Sequence, residues 1–409
     1  MNTSASSAVP APTPSSARTP SYLLLAVTVL VVAANLRGAI TALGPIIDRV
    51  GTDTGLSAGA LGVLGALPIL TFGVVSPLVH RLSSTFGADR AVFGALLVLT
   101  LGTVVRSLPG LSGWLWVGTV LLAAAIAVAN VLMPAIVKRD FPQQVSLMTG
   151  LYSAVMSGFA AIASGIAVPI ARSTNWELAL GVWAIPALIA AGVWVFRLRG
   201  SQAARPVPIP ATTAPTAARS MWRSGVAWQV ALVMALQSSV FYLLITWLPS
   251  IESSHGVGES EAGWHLVIFQ IAGIVGGLVA GPVLHRRHDQ SGVGMATAGL
   301  MVIAMVGLLV LPDLVVVWVA FAGLSAGSSL VVALTLMSVR ARTPHDSGRL
   351  SAMSQSVGYL IASLGPIMSG LLFEFTDSWT PVLVFAALLA TGQGAFVAFA
   401  GRNRFAHAE

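Results

Sequence analysis

Residues 22–47 read YLLLAVTVLVVAANLRGAITALGPII, 26 residues with one charge, Arg37. A helix rises about 1.5 Å per residue, and roughly 20 apolar residues cross a hydrocarbon layer about 30 Å thick. The stretch therefore reads as a membrane span. It is too long for the apolar core of a cleaved secretory signal, and more runs of the same kind follow it. Breaking the chain at charges and at Pro/Gly clusters predicts twelve spans, at 22–47, 57–80, 90–107, 113–137, 146–171, 177–197, 225–250, 261–284, 293–311, 314–339, 349–373 and 380–400. The 409 residues are 56% hydrophobic and 9% charged, against about 25% charged in soluble chains. The expected class is an all-α polytopic membrane protein of 12 transmembrane helices in two pseudo-symmetric six-helix bundles.

The division into domains follows from composition. Residues 1–21, rich in Ser, Ala and Pro, predict a disordered tail. Residues 22–197 form an N-terminal six-helix bundle, 198–224 an Arg- and Pro-rich linker, 225–400 a second six-helix bundle and 401–409 a short tail. Lys and Arg resist translocation and collect in cytoplasmic loops. With both termini inside, only Arg49, Arg106 and Arg172 fall outside and Arg37 lies within a span. That leaves 17 of the 21 basic residues on the cytoplasmic side. The outer side takes Asp48, Asp53, Glu177, Glu252, Glu259, Glu261, Asp313, Glu374 and Asp377, nine of the fourteen acids. The expected location is a bacterial cytoplasmic (inner) membrane, crossed many times, with both termini cytoplasmic. The net charge of +7 is thereby explained without nucleic acid. With no Cys in the chain, a disulfide framework, a Cys-ligated metal and a thiol nucleophile are excluded. No hydrolase, kinase or metal constellation is present, and no cofactor is expected.

The halves repeat one another. VLMPAIVKRDFPQQVSLMTG (131–150) parallels LTLMSVRARTPHDSGRLSAM (334–353), and the loop around His80, Arg81, Asp89 and Arg90 parallels that around His285, Arg286, Arg287 and Asp289. Parallel repeats of this sort occur in transporters that rock two halves around a midplane site. Gly273, Gly276, Gly277 and Gly281 predict close helix packing.

Arg37 is read as the only ionisable side chain well inside a span, about 22 Å from Tyr22 along the helix. Insertion of Arg at a helix centre costs about 2.5–3.5 kcal/mol, so it needs an offsetting bond or a function. Its planar, permanently charged fork matches carboxylates and other oxyanions. The bland alternative is a structural Arg bonded to helix-end carbonyls. Asn35 precedes it, and Thr41, at i+4, is expected on its face. Gln237, Tyr242, Gln270 and Tyr359 near mid-span, with Tyr152, Met156 and Gln355 nearer the cytoplasm, are the other candidates for a substrate cavity. Each alone fits helix-to-helix bonding better; as a set they can line one cavity. Aligning the first and seventh spans sets Arg37 opposite Phe241 or Tyr242. His265 is a candidate for proton coupling, against a bland reading as an interfacial residue beside Trp264. No Asp or Glu is expected deep in a span, which disfavours carboxylate-driven proton antiport.

Twelve spans in two halves, with a Gly-Pro-Arg-Gly-Asp-Arg loop after the second (Gly73, Pro77, Arg81, Gly87, Asp89, Arg90) and its counterpart after the eighth (Gly281, Pro282, Arg286, Asp289), resemble the major facilitator superfamily. Within it, Asn35-Leu36-Arg37 through Gly44-Pro45, Thr54-Gly55-Leu56-Ser57, Ala66-Leu67-Pro68, Met133-Pro134-Ala135-Ile136-Val137-Lys138-Arg139 and Thr246-Trp247-Leu248-Pro249 are similar to the cyanate and 2-nitroimidazole transporters. The resemblance implies secondary active transport of a small solute such as cyanate, another small anion or a nitro-heteroaromatic, by alternating access and as a monomer. Two alternatives remain: xenobiotic efflux, and a membrane sensor with a transporter-like body.

Overall fold

The computed structural model describes residues 22–110, 112–200, 221–287 and 289–406. The expected tail at 1–21, residues 201–220 of the linker and the last residues of the C-terminal tail lie outside them. Among the described residues the regular structure is helical throughout, and twelve helices are long and apolar enough to cross a membrane. We number them α1 Tyr22–Thr54, α2 Ala58–Ser76, α3 Ala88–Arg106, α4 Ser112–Asp140, α5 Leu147–Ser173, α6 Trp176–Arg199, α7 Gly225–Ser254, α8 Glu259–His285, α9 Ser291–Val310, α10 Pro312–Val339, α11 Asp346–Thr376 and α12 Thr380–Ala400.

Local chemistry sets several boundaries. The Ser57 hydroxyl accepts from the Ala60 amide at the start of α2, and Asn175 accepts from Leu178 at the start of α6, each filling an orphan amide of a first turn. Inside the second half, α8 and α10 pack backbone to backbone. A Cβ on Gly276 would strike the Leu324 carbonyl, one on Gly327 would strike Gly273, and Ser328 donates to the Gly276 carbonyl at 2.9 Å. The expected glycine stripe thus holds at Gly273 and Gly276 and, more loosely, at Gly277. It fails at Gly281, where nothing lies within 4 Å; there the contact with α10 passes to Ala280 and Leu284, buried with Val332 and Leu336.

The repeated loops carry unequal chemistry. In the first half Arg197, 2% exposed, donates to Asp89 at 2.7 Å and Asp140 at 2.5 Å and lies over Trp194, while Arg139 donates to the same two acids. In the second half Arg340 instead donates to the carbonyls of Ala400 and Gly401 and to Gln290. Just beyond its span, Arg340 has its guanidinium pulled below the usual range by burial. Removing Arg197 takes the buried cation from Asp89 and Asp140 and leaves them only the more exposed Arg139 among the described ion pairs, and loss of the buried partner of an ion pair is destabilising. Arg197→Ala is expected to lower the unfolding temperature in detergent markedly, and Arg340→Ala to lower it less.

The bonds that join the halves gather at one end. Glu259 of α8 receives Arg49 of α1 through two nitrogens and Arg172 of α5 at 3.4 Å; Ser250 of α7 donates to Asp48 at 2.8 Å; the Gly59 amide of α2 donates to Glu374 of α11 at 2.7 Å. Beneath them Gly44 of α1 lies against the Ile245 carbonyl of α7, and Gly62 against that of Pro366. We call this the closed end. The opposite end carries Asp89 and Arg197, and there the first turns of α5 are exposed on most faces.

Candidate functional site

The first span is interrupted. Its helix ends at Ala33, Ala34–Arg37 form turns, and helix resumes at Gly38 before a short 3-10 stretch at Gly44–Ile46. The break thus falls at Arg37, eight residues before Pro45. Asn35 fastens it, its amide donating to the Val31 carbonyl at 2.8 Å and the Pro186 carbonyl of α6 at 3.2 Å. Arg37 caps the following turn with φ −129° and is partly exposed. Among the described residues its guanidinium makes no ion pair or side-chain hydrogen bond; its Cζ sits 5.4 Å from the centroid of Phe241 on α7. The alignment of the first and seventh spans is therefore met in space.

Three of the chain's four tyrosines converge on this cation. Tyr152 of α5, Tyr242 of α7 and Tyr359 of α11 all lie within its electrostatic reach, and Tyr359 also within that of the other two. Tyr242 stands edge-on to Phe241 at 5.1 Å, Tyr359 edge-on to Phe72 at 6.2 Å, and Tyr152 donates to Asn130 of α4 at 3.3 Å. One unpaired guanidinium thus has an aromatic face of the other half against it and tyrosines of both halves in its neighbourhood, an arrangement suited to a small planar solute with a negative or electron-rich end.

The other predicted residues divide. Met156 and Tyr359 pack against the apolar core beside Tyr152. Gln237 is buried and donates to Ser238 at 2.6 Å and to the Met234 sulfur. Gln355 donates to Ser351 one turn away. Gln270 is buried with its Nε2 unpartnered, a donor left over beside Phe269, which contacts Phe241 at 5.8 Å. Thr41 does not share the cavity face with Arg37: it donates to the Ala160 carbonyl of α5 at 3.0 Å. Asn35 likewise spends its amide on carbonyls.

Toward the closed end two buried charges depart from the expectation. Arg37 is not alone, because Arg106, at the end of α3, is 2% exposed. Nor are the spans free of buried carboxylates. Glu252 in the last turns of α7 is 1% exposed, and its Oε2 is 2.6 Å from Nδ1 of His265, itself buried. His265 Nε2 lies 3.9 Å from the exposed Glu261. Trp264 faces outward while His265 faces in, so the interfacial reading holds for the tryptophan only. The helix of α7 runs past Pro249 to Ser254; that extension was the missing signal for Glu252.

Two six-span halves held together at one end around an unpaired midplane cation are the architecture of a membrane transporter. The chain belongs to the Major Facilitator Superfamily, whose profile matches residues 25–366, and within it to the kin of the cyanate and 2-nitroimidazole transporters. It is 34% identical to the 2-nitroimidazole transporter of Escherichia coli (strain K12), over 93% of this chain and 96% of that one. It is 28% identical to the cyanate transport protein CynX of the same organism, over 88% and 92%. A D-xylose-proton symporter shares the fold, with a TM-score of 0.76 at 15% identity over 93% of this chain and 97% of that one. The chain is a transporter of small solutes and not an enzyme.

Proposed function

We infer that this transporter carries a small monoanion or nitro-heteroaromatic, of the size and chemistry of cyanate or a nitroimidazole, by alternating access in a cytoplasmic membrane. The observation that carries the reading is Arg37, unpaired among the described residues at a helix break and set against Phe241 of the other half. Relatives that share much of the chain are named for cyanate and 2-nitroimidazole, which agrees with it. With the basic residues cytoplasmic, the closed end faces outward, and solute reaches Arg37 from the cytoplasmic end in this conformation. The test is flux of labelled cyanate and of a nitroimidazole in proteoliposomes. Saturable movement of either supports the reading; movement only of large apolar drugs contradicts it and favours efflux.

Proton coupling belongs to the same reading. Glu261, His265 and Glu252 form a chain from an exposed carboxylate to a buried one, and Glu252 sits two residues past Ser250, which bonds Asp48 across the closed end. A proton on Glu252 therefore bears on the gate. Glu252→Gln is expected to bind solute as the wild type does but to lose at least ~10-fold of the accumulation driven by a pH gradient. Unchanged pH-driven accumulation in that variant would show that the coupling lies elsewhere.

A further inference from the structure

Arg106 stands where a charge is hardest to explain. Gly118 of α4 has no side chain to keep off the Arg106 backbone, so the end of α3 is drawn into the bundle and its guanidinium with it. There Nε and Nη2 are buried with no hydrogen-bond partner. Arg106 takes part in none of the ion pairs found among the described residues. A guanidinium does not shed its proton in a protein, and an uncompensated buried charge is strongly destabilising.

Arg106 is one of the residues lining an internal cavity with room for about one water-sized species, roughly 10 Å³ of space for its centre. The cavity lies beneath the Gly44–Ile245 contact of the closed end, with Gly65 on one wall and Thr119, Thr246 and Tyr242 on others. Thr119 donates its proton to the Leu115 carbonyl. Tyr242 of α7 lines this cavity and is next in the chain to Phe241, which Arg37 overlies.

We propose that Arg106 anchors a second anion site, outward of Arg37, that takes a small inorganic monoanion of about the size of chloride. The cavity admits one such ion and excludes a carboxylate with an organic body. Its occupant neutralises the guanidinium while the closed end is sealed, and it comes either from the ambient halide or from the transported anion itself. The site does not depend on the solute assigned to Arg37.

The test is thermal unfolding of the purified full-length protein at fixed pH and ionic strength, in chloride or bromide against gluconate. The wild type is expected to unfold about 2 °C or more higher in the halides, Arg37→Ala to keep that difference, and Arg106→Gln to lose it. Equal unfolding temperatures of the wild type in halide and gluconate, or a halide effect that survives in Arg106→Gln, would overturn the proposal. Should Arg106→Gln fail to fold, bromide soaked into crystals of the wild type decides. An anomalous peak against the Arg106 guanidinium supports the site, and its absence there overturns it. Radiolabelled chloride in proteoliposomes separates the two sources: chloride that moves with the transport cycle is cargo, and chloride that stabilises without moving is a resident counter-ion.

Discussion

Arg37→Ala is expected to abolish transport while leaving the folded protein as stable as the wild type, or more so. Both halves of that expectation follow from the same geometry. The guanidinium makes no ion pair with the described protein and contacts the face of Phe241 at 5.4 Å, so little internal bonding is lost with it. An Arg in mid-span costs about 2.5–3.5 kcal/mol to place there, and alanine relieves that cost. The solute, however, loses its charged donors. Hydrogen bonds to charged groups contribute about 1.5–3 kcal/mol each, so affinity should fall by roughly 10- to 100-fold at least. Arg37→Lys restores the charge but not the planar fork and should recover only a small part of the flux. A structural Arg would behave in the opposite way, with alanine lowering the unfolding temperature and sparing transport. Unfolding temperature and flux on the same preparations separate the two.

Gly44→Val should be nearly as severe for a different reason. Gly44 meets the Ile245 carbonyl directly, so a branched side chain there collides with backbone that cannot swing aside. The closed end then cannot seal, and a carrier that cannot seal one end cannot cycle. Flux should drop by about 100-fold, while solute binding from the now open outer side survives. The absence of cysteine gives a clean background for the check. A single Ser250→Cys, which in the wild type sits beside Asp48 beneath the Arg49–Glu259 bridge, should be labelled by an impermeant maleimide far faster when Gly44→Val is added. Equal labelling rates would mean that the contact is not part of the seal.

Hydropathy and the lopsided distribution of Lys and Arg made the twelve spans readable, because both are summed over many residues. Arg37, Tyr152, Tyr242 and Tyr359 were also readable, since a polar or aromatic group in mid-span has few places to go but inward. What failed did so where the answer lay in another helix. Thr41 was set on the Arg37 face by counting i+4 along a continuous helix. Thr41 is indeed one helical turn on, its amide donating to the Arg37 carbonyl at 3.0 Å, but Arg37 itself has the non-helical backbone of a cap, φ −129°, so its side chain leaves that face, and Thr41 turns to the Ala160 carbonyl. The sequence reading sets Arg106 at the outer end of the third span and Glu252 in the loop after the seventh, because apolar windows end at charges. Their burial is decided by Gly118 on α4 and His265 on α8, which no local pattern announces.

The most direct measurement is ligand-dependent thermal stabilisation of purified wild type and Arg37→Ala against cyanate, nitrate, small carboxylates and nitroimidazoles at two pH values. The account predicts that one of the small anions or nitro compounds stabilises the wild type and that this stabilisation disappears in Arg37→Ala. Stabilisation by neutral heteroaromatics alone, equal in both proteins, would contradict it and make Arg37 a structural residue.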